Sequence, residues 1–320
     1  MKHWAIFPGR TVRAISFRGL QIGGENRFHV VQGRDGRLYV RGRLGLYRIT
    51  DSGANERLED TSECSGRAES QGADTRTPLP RAICARANVI ILAAPSWHRH
   101  IAAIPPWWPA GFATRGGYRF DDRYLTAVIP ADNGSFWIAF GALHAVGRVD
   151  AGGTTTLRLV TGIGSIRSMA VLGDDVYLAG ERCAVAHLRG LTIVERIKGG
   201  CVSAARWRTV SAVSAGGATW LLYPDGAVVA RSRRGERRWK LPFWPVSVAV
   251  TRDGKAYVLG PKDIRRWGHP MIAMLPPAGK ARIDNLPMEE ADAIDVDGRD
   301  RLWIADWLDH AAALVAAPGS

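Results

Sequence analysis

The sequence predicts an all-β protein: a seven-bladed β-propeller closed by an N-terminal strand that pairs with the last blade. Three observations predict it. A unit recurs along the chain, made of an apolar strand, a Gly and Asp or Asn turn, and a second strand with an aromatic or aliphatic centre. Those centres are Tyr39, Ile91, Trp137, Tyr177, Trp220, Tyr257 and Trp303, spaced 37 to 52 residues apart. That scatter suits propeller blades of about 40–50 residues with variable loops better than a stacked solenoid. The last unit also ends one strand short, while a spare strand-like segment lies ahead of the first.

Each element follows from local pattern. The first unit has its inner strand at Phe28–Val31. In the third, Leu125–Ala131 is the inner strand, and Asn133-Gly134 is a strong hairpin signal. Phe136–Phe140, Ala145–Asp150 and Thr155–Val160 are its second, third and fourth strands. The sixth unit repeats this with Val246–Thr251, Asp253-Gly254, Ala256–Leu259, Met271–Leu275 and Ala281–Ile283. Alternation of Val246, Val248 and Val250 gives the inner strand one face for packing. The seventh unit offers only Ala293–Val296, Arg301–Ala305 and Ala311–Val315. Val12–Phe17 is expected to supply its missing strand and remove an exposed sheet edge.

Two segments depart from the repeat. Asp51–Pro78 is polar and aperiodic, and is expected to be a mobile loop between the first two blades. Trp97–Tyr124 is long and holds Trp107, Trp108 and a cluster of prolines. Those tryptophans either pack on an outer blade surface or form an aromatic patch for a partner. Otherwise residues 1–320 read as a single propeller domain.

Composition bounds the function. The chain is 46% hydrophobic and 23% charged, enough apolar content for a packed core. No apolar run is long enough for a membrane helix, and Met1–Arg10 lacks the apolar core of a secretory signal. A cytoplasmic protein is therefore expected. Cys64, Cys84, Cys183 and Cys201 form no CxxC pair. Cys183 and Cys201 could close a local disulfide, but without an export signal reduced thiols are expected. The formal net charge is +13, and 37 of the 43 basic residues are arginines. A GC-rich genome explains this bias as readily as an anionic partner does.

Two stretches carry a family resemblance. DGRLYVRGRLGLYRIT (Asp35–Thr50) resembles the blade motif of the periplasmic sensor propellers of two-component regulators. GSFWIAFGALHAVGRVDAGG (Gly134–Gly153) is similar to a blade of the virginiamycin B lyase, or streptogramin lyase, family. There a Trp-containing strand leads to an IGRID-type strand, read here as Val146-Gly147-Arg148-Val149-Asp150. The lyase resemblance implies a metal-assisted site with His and Glu on one propeller face. Where such blades carry an acidic residue after the Trp strand, this chain has Phe140.

A propeller brings all loops between second and third strands to one face near the channel. In order, these loops hold Arg41 and Arg43; Trp97, His98, Arg99 and His100; His144; Glu181 and Arg182; Asp225; Lys262, Asp263, Arg265 and His269; and Asp306, Asp309 and His310. Five of the eight histidines fall in this class. Imidazole and carboxylate together hold a divalent metal or act as an acid–base pair. His144, His269 and Glu181 are the catalytic candidates, and His98, His144, Glu181, His269, Asp306, His310 and Arg41 the ligand-binding set. Arg182 and Arg266 could anchor an anionic group. No P-loop, GxSxG or HExxH is present.

Three functions fit. A propeller that binds a protein or ligand on the channel face comes first, since no complete catalytic set is visible. A metal-assisted lyase or hydrolase of the streptogramin-lyase type comes second. Association with an anionic partner comes third, through the basic run Arg231–Lys240 at a hairpin of the opposite face. Nucleic acid ranks last among partners, because no recognised nucleic-acid module is present.

Overall fold

A computed structural model describes residues 125–131, 135–150, 154–181, 183–198, 210–263, 266–286, 288, 291–296, 300, 302–306 and 311–315. It also describes the short strands 3–5, 11–16, 29–32, 38–41, 46–49, 55–59, 90–91, 101–102, 112–113 and 119–120. The described residues contain strands and turns and no helix.

In chain order, β1 (His3–Ala5) and β2 (Thr11–Ser16) open the molecule. A four-stranded sheet follows, made of β3 (His29–Gln32), β4 (Leu38–Arg41), β5 (Leu46–Ile49) and β6 (Asn55–Glu59). Next are the pairs β7 (Ile90–Ile91) with β8 (Ile101–Ala102), and β9 (Phe112–Ala113) with β10 (Arg119–Phe120). The next sheet has β11 (Leu125–Pro130), β12 (Phe136–Phe140), β13 (Ala145–Val149) and β14 (Thr155–Leu159). Another has β15 (Ile166–Leu172), β16 (Asp175–Gly180), β17 (Ala184–Arg189) and β18 (Thr192–Lys198). It is followed by β19 (Ser211–Ala215), β20 (Ala218–Leu222), β21 (Ala227–Ser232) and β22 (Gly235–Lys240). Then come β23 (Ser247–Val250), β24 (Ala256–Asp263), β25 (Arg266–Leu275) and β26 (Arg282–Asn285). Finally β27 (Ala291–Val296), β28 (Leu302–Asp306) and β29 (Ala311–Val315) join the first two strands in the order β1-β2-β29-β28-β27.

The chain divides into two compact units: residues 1–63, 226–228 and 238–320, and residues 64–225 and 229–237. In the first unit, β2 pairs antiparallel with β29 in the register Val12↔Val315 to Ser16↔Ala311. The N-terminal segment thus adds to the C-terminal sheet, and β1 adds a fifth strand outside it. The core of this unit lies between β23–β25 and β27–β28, where Tyr257, Leu259 and Ile272 pack with Ile294, Leu302 and Ile304. In the second unit Trp137, Ala139 and Val146 pack with Met169, Leu178 and Ala186 across two successive sheets.

Burial grades across each sheet. β12 and β20 are buried along their whole length, whereas β14, β18, β22 and β26 are mostly exposed. Buried serines tie neighbouring inner strands together. Ser168 Oγ on β15 accepts the Ala212 N–H of β19 at 2.8 Å, and Ser247 Oγ on β23 accepts the Ile294 N–H of β27 at 3.2 Å. The two serines hold equivalent ladder positions, opposite Ala179 and Leu259, each of which is followed by a glycine, Gly180 and Gly260.

Two expectations need correction. The segment Asp51–Pro78 is not wholly a loop: Asn55–Glu59 is β6, paired with β5 from Ile49↔Asn55 to Leu46↔Glu59. Asn55–Glu59 holds a single apolar residue, Leu58, so it carries no apolar period to betray it. Residues 60–78 lie outside the described residues. The expectation of reduced thiols also fails at Cys183, which is fully buried and disulfide-bonded. The other three cysteines lie outside the described residues.

Candidate functional site

The loops between second and third strands share one backbone device. The residue just before the third strand is left-handed in three of them: His144 (φ 51°), Cys183 (φ 50°) and Gly226 (φ 91°). For His and Cys this conformation costs about 1 kcal/mol, so the surrounding structure must hold it. What holds it is the connection to the next sheet. The Val160 N–H donates to the His144 carbonyl at 2.7 Å, and the Leu241 N–H donates to the Gly226 carbonyl at 2.8 Å. The Leu286 N–H likewise donates to Pro270, which precedes Met271, at 2.8 Å.

His144 and Glu181, two of the expected residues, grip the same connection from its two sides. His144 is exposed, and its Nδ1 lies 2.7 Å from the Gly164 carbonyl oxygen. A carbonyl only accepts, so Nδ1–H donates. The Glu181 N–H donates to the neighbouring Ser165 carbonyl at 3.1 Å, and the Glu181 carboxylate pairs with Arg167. Ile166 N–H closes the arrangement on the Gly141 carbonyl at 3.2 Å. Both side chains are therefore tied into the framework. Asp225 sits where expected, in the turn between β20 and β21.

Five expected loop residues lie on strands instead, Lys262 and Asp263 among them at the end of β24. His269 is inside β25, because the β24–β25 hairpin continues past Pro261↔Pro270 to Asp263↔Arg266 with a register shift. Two facing prolines have no N–H to bond each other, and the shift lets the ladder resume beyond them. Asp306 ends β28 opposite Ala311, and Arg41 ends β4 opposite Leu46. His98, Arg182 and His310 lie outside the described residues. Among the described residues, no three His, Cys, Asp or Glu side chains group to hold a metal ion.

Sequence reasoning missed a second cluster, on the outer half of the second unit. Strand register sets Tyr177, His187 and Glu195 side by side on β16, β17 and β18. The Tyr177 and His187 rings stack at 4.2 Å and 4°. His187 Nε2 is 2.8 Å from Asp175 Oδ1, and its Nδ1 is 3.7 Å from Glu195 Oε2. From β21, Arg231 donates to Glu195 and to Glu236, each at 2.7 Å, and its guanidinium lies 5.9 Å from the Tyr177 ring centre. The Arg231 hydrogen bond holds the Glu195 carboxyl below the usual Glu range. Burial pushes the Tyr177 hydroxyl up. Burial disfavours the Arg231 charge, but Glu195 and Glu236 outweigh it and hold the guanidinium above its ordinary value. No residue spacing announces this cluster, because its members meet only across three ladders and a neighbouring sheet.

The pattern of four-stranded antiparallel sheets, inner strands packed side by side, is shared with solved structures. The chain is similar to virginiamycin B lyase from Staphylococcus aureus at 12% identity and TM-score 0.61, covering 96% of this chain and 99% of that one. It is similar to the WD40 β-propeller domain of Doa1 at 11% identity and TM-score 0.60, covering 98% and 99%. The fold is a β-propeller. A further likeness, to the extracellular domain of a hybrid two-component system from B. thetaiotaomicron, has 12% identity and TM-score 0.57 and covers 96% of this propeller and 42% of that chain. At such identities the likeness carries the fold alone. No protein-family model matches the chain, and no curated protein matches it in sequence. No described helix is long and apolar enough to cross a membrane.

Proposed function

We propose that this propeller is a binding module that holds a protein partner on the face formed by its loops between second and third strands. The reading takes residues 1–320 as one domain of seven repeats, the seven marked by Tyr39 through Trp303. One observation carries it: the groups on that face best suited to chemistry are used as struts. His144 Nδ1 is committed to the Gly164 carbonyl, the Glu181 carboxylate to Arg167, and Cys183 to a disulfide. Such an arrangement stiffens a surface, which lowers the entropic cost of binding. Among the described residues it does not assemble a nucleophile, a base and a polarising group around one spot. The streptogramin-lyase reading is not favoured for the same reason, and because the likeness to that enzyme extends to fold only.

The test is a photocrosslinking amino acid placed at Ala142, an exposed loop position between Gly141 and His144. A single protein should be captured in the native host from Ala142 and not from Thr156 on an outer strand. Equal capture from both positions would overturn the reading. So would purified protein carrying near-stoichiometric divalent metal and opening a cyclic depsipeptide.

A further inference from the structure

Two outer hairpins of the second unit concentrate the chain's charge. Ala184–Lys198 carries Arg189, Arg196 and Lys198 against one acid, Glu195. Residues 229–237 carry Arg231, Arg233, Arg234 and Arg237 against Glu236. Seven cations and two carboxylates give these 24 residues a net +5, in a chain whose formal charge is +13. The corresponding hairpin β13–β14, Ala145–Leu159, has Arg148, Arg158 and Asp150, a net +1.

The geometry turns this count into a surface. Both acids are engaged by one guanidinium, since Arg231 bonds Glu195 on β18 and Glu236 on β22. That contact also locks the two hairpins together. Arg189, Arg196, Lys198, Arg233, Arg234 and Arg237 are all exposed. Arg233 and Arg234 form the turn at the tip of their hairpin; Arg189, 71% exposed, sits beside the turn of the other with its Nε 3.5 Å from Asp175 Oδ1. Val194, 51% exposed, lies among the β18 cations.

We infer that this outer surface, from Arg189 to Arg237, docks an acidic segment of a partner protein. Guanidinium groups take carboxylates in pairs of parallel hydrogen bonds, and Val194 gives an apolar side chain of the same segment a place to rest. The exposed large apolar residues among those described are Leu159, Val194 and Ile283, all aliphatic. Nucleic-acid strands bind through aromatic stacking platforms as well as cations, and interfacial membrane binding needs a broad apolar face. Among the described residues from 184 to 198 and 229 to 237, no exposed aromatic side chain and no broad apolar face accompanies these cations. Apart from Lys198, which pairs with Ala184 at the loop end of β18, the surface lies away from the loop face, so the two bindings can fail independently.

Fluorescent polyglutamate is the probe, titrated by anisotropy against the full chain at low and high NaCl. Binding should weaken as salt rises, and the triple variant Arg233→Glu, Arg234→Glu, Arg237→Glu should weaken it by about tenfold or more. Arg158→Glu, a charge reversal on another outer strand, should leave it unchanged. Far-UV circular dichroism and thermal midpoint report that the variants remain folded; if the triple variant does not fold, Arg233→Ser with Arg234→Ser at the exposed turn takes its place. The inference is overturned if the variants bind polyglutamate like the parent, or if Arg158→Glu weakens binding as much. It is also overturned if duplex DNA or phosphatidylserine vesicles bind more tightly and lose binding to the same substitutions.

Discussion

Gly180 is a position at which one added methyl group should do heavy damage. It ends β16, and a Cβ built there would stand 2.0 Å from the Ile163 carbonyl oxygen and 2.8 Å from its carbon. Backbone cannot swing aside as a long side chain does, so the connection 161–165 must move by more than 1 Å to restore ordinary contact, roughly 3.4 Å or more. Overpacking of this kind costs about 1–3 kcal/mol. The same shift stretches the bonds from Glu181 N–H to Ser165 and from Ile166 N–H to Gly141, at 3.1 and 3.2 Å, each worth about 1 kcal/mol. Loss of unfolded-chain entropy on replacing glycine returns about 0.4–1 kcal/mol. The net for Gly180→Ala is a loss of about 2–4 kcal/mol, a large share of a typical total stability of about 5–15. Urea unfolding followed by tryptophan fluorescence measures it, and hydrogen exchange of peptides spanning residues 161–166 should quicken. Gly173→Ala is the control: it has φ +63° but no atom within 4 Å of its Cβ, so it carries only conformational strain of about 1 kcal/mol. If Gly180→Ala costs no more than Gly173→Ala, close backbone approach is not what selects glycine there.

Three further outcomes follow from the same contacts. Ser168→Ala leaves the buried Ala212 N–H without its acceptor and should cost about 1–3 kcal/mol in urea unfolding, with Ser247→Ala similar through Ile294. Because the Glu195 carboxyl is held below its ordinary range, it stabilises the fold above about pH 4.3 and loses that contribution as pH falls through its folded value; Arg231→Met should flatten the acid limb of stability against pH, and an unchanged limb would clear Arg231 of the role. Alkylation followed by mass spectrometry should leave Cys183 unlabelled unless reductant is added, and reduction should cost about 2–4 kcal/mol. Since disulfides persist in oxidising compartments, labelling of Cys183 in freshly lysed cells also bears on the expected cytoplasmic location.

Repeat and fold class were legible in the sequence because they rest on short-range chemistry. The Asp253-Gly254 turn has, at Gly254, the positive φ that tight hairpins demand. Buried second-strand centres such as Trp137 and Trp303, 1% exposed each, mark blade interiors directly. The unfinished last unit and the spare strand-like segment ahead of the first pointed to the pairing of β2 with β29. The edge strand β6 escaped notice, because Asn55–Glu59 holds a single apolar residue, Leu58, and so no period to read.

The site was legible only as a class of loop. Sequence placed His144 and Glu181 in equivalent loops, and tertiary structure decided that both would anchor the connection at Gly164 and Ser165. It moved His269 from loop to strand, because hairpin length depends on ladder register across facing prolines rather than on composition. It assembled Tyr177, His187, Glu195 and Arg231, which are neighbours only once four strands and a blade seam are in register. Periodicity and turn chemistry are properties of a few adjacent residues, so the sequence by itself determined the blades. Which side chains meet depends on register and on how one sheet leans on the next, and those are fixed by packing summed over the whole unit.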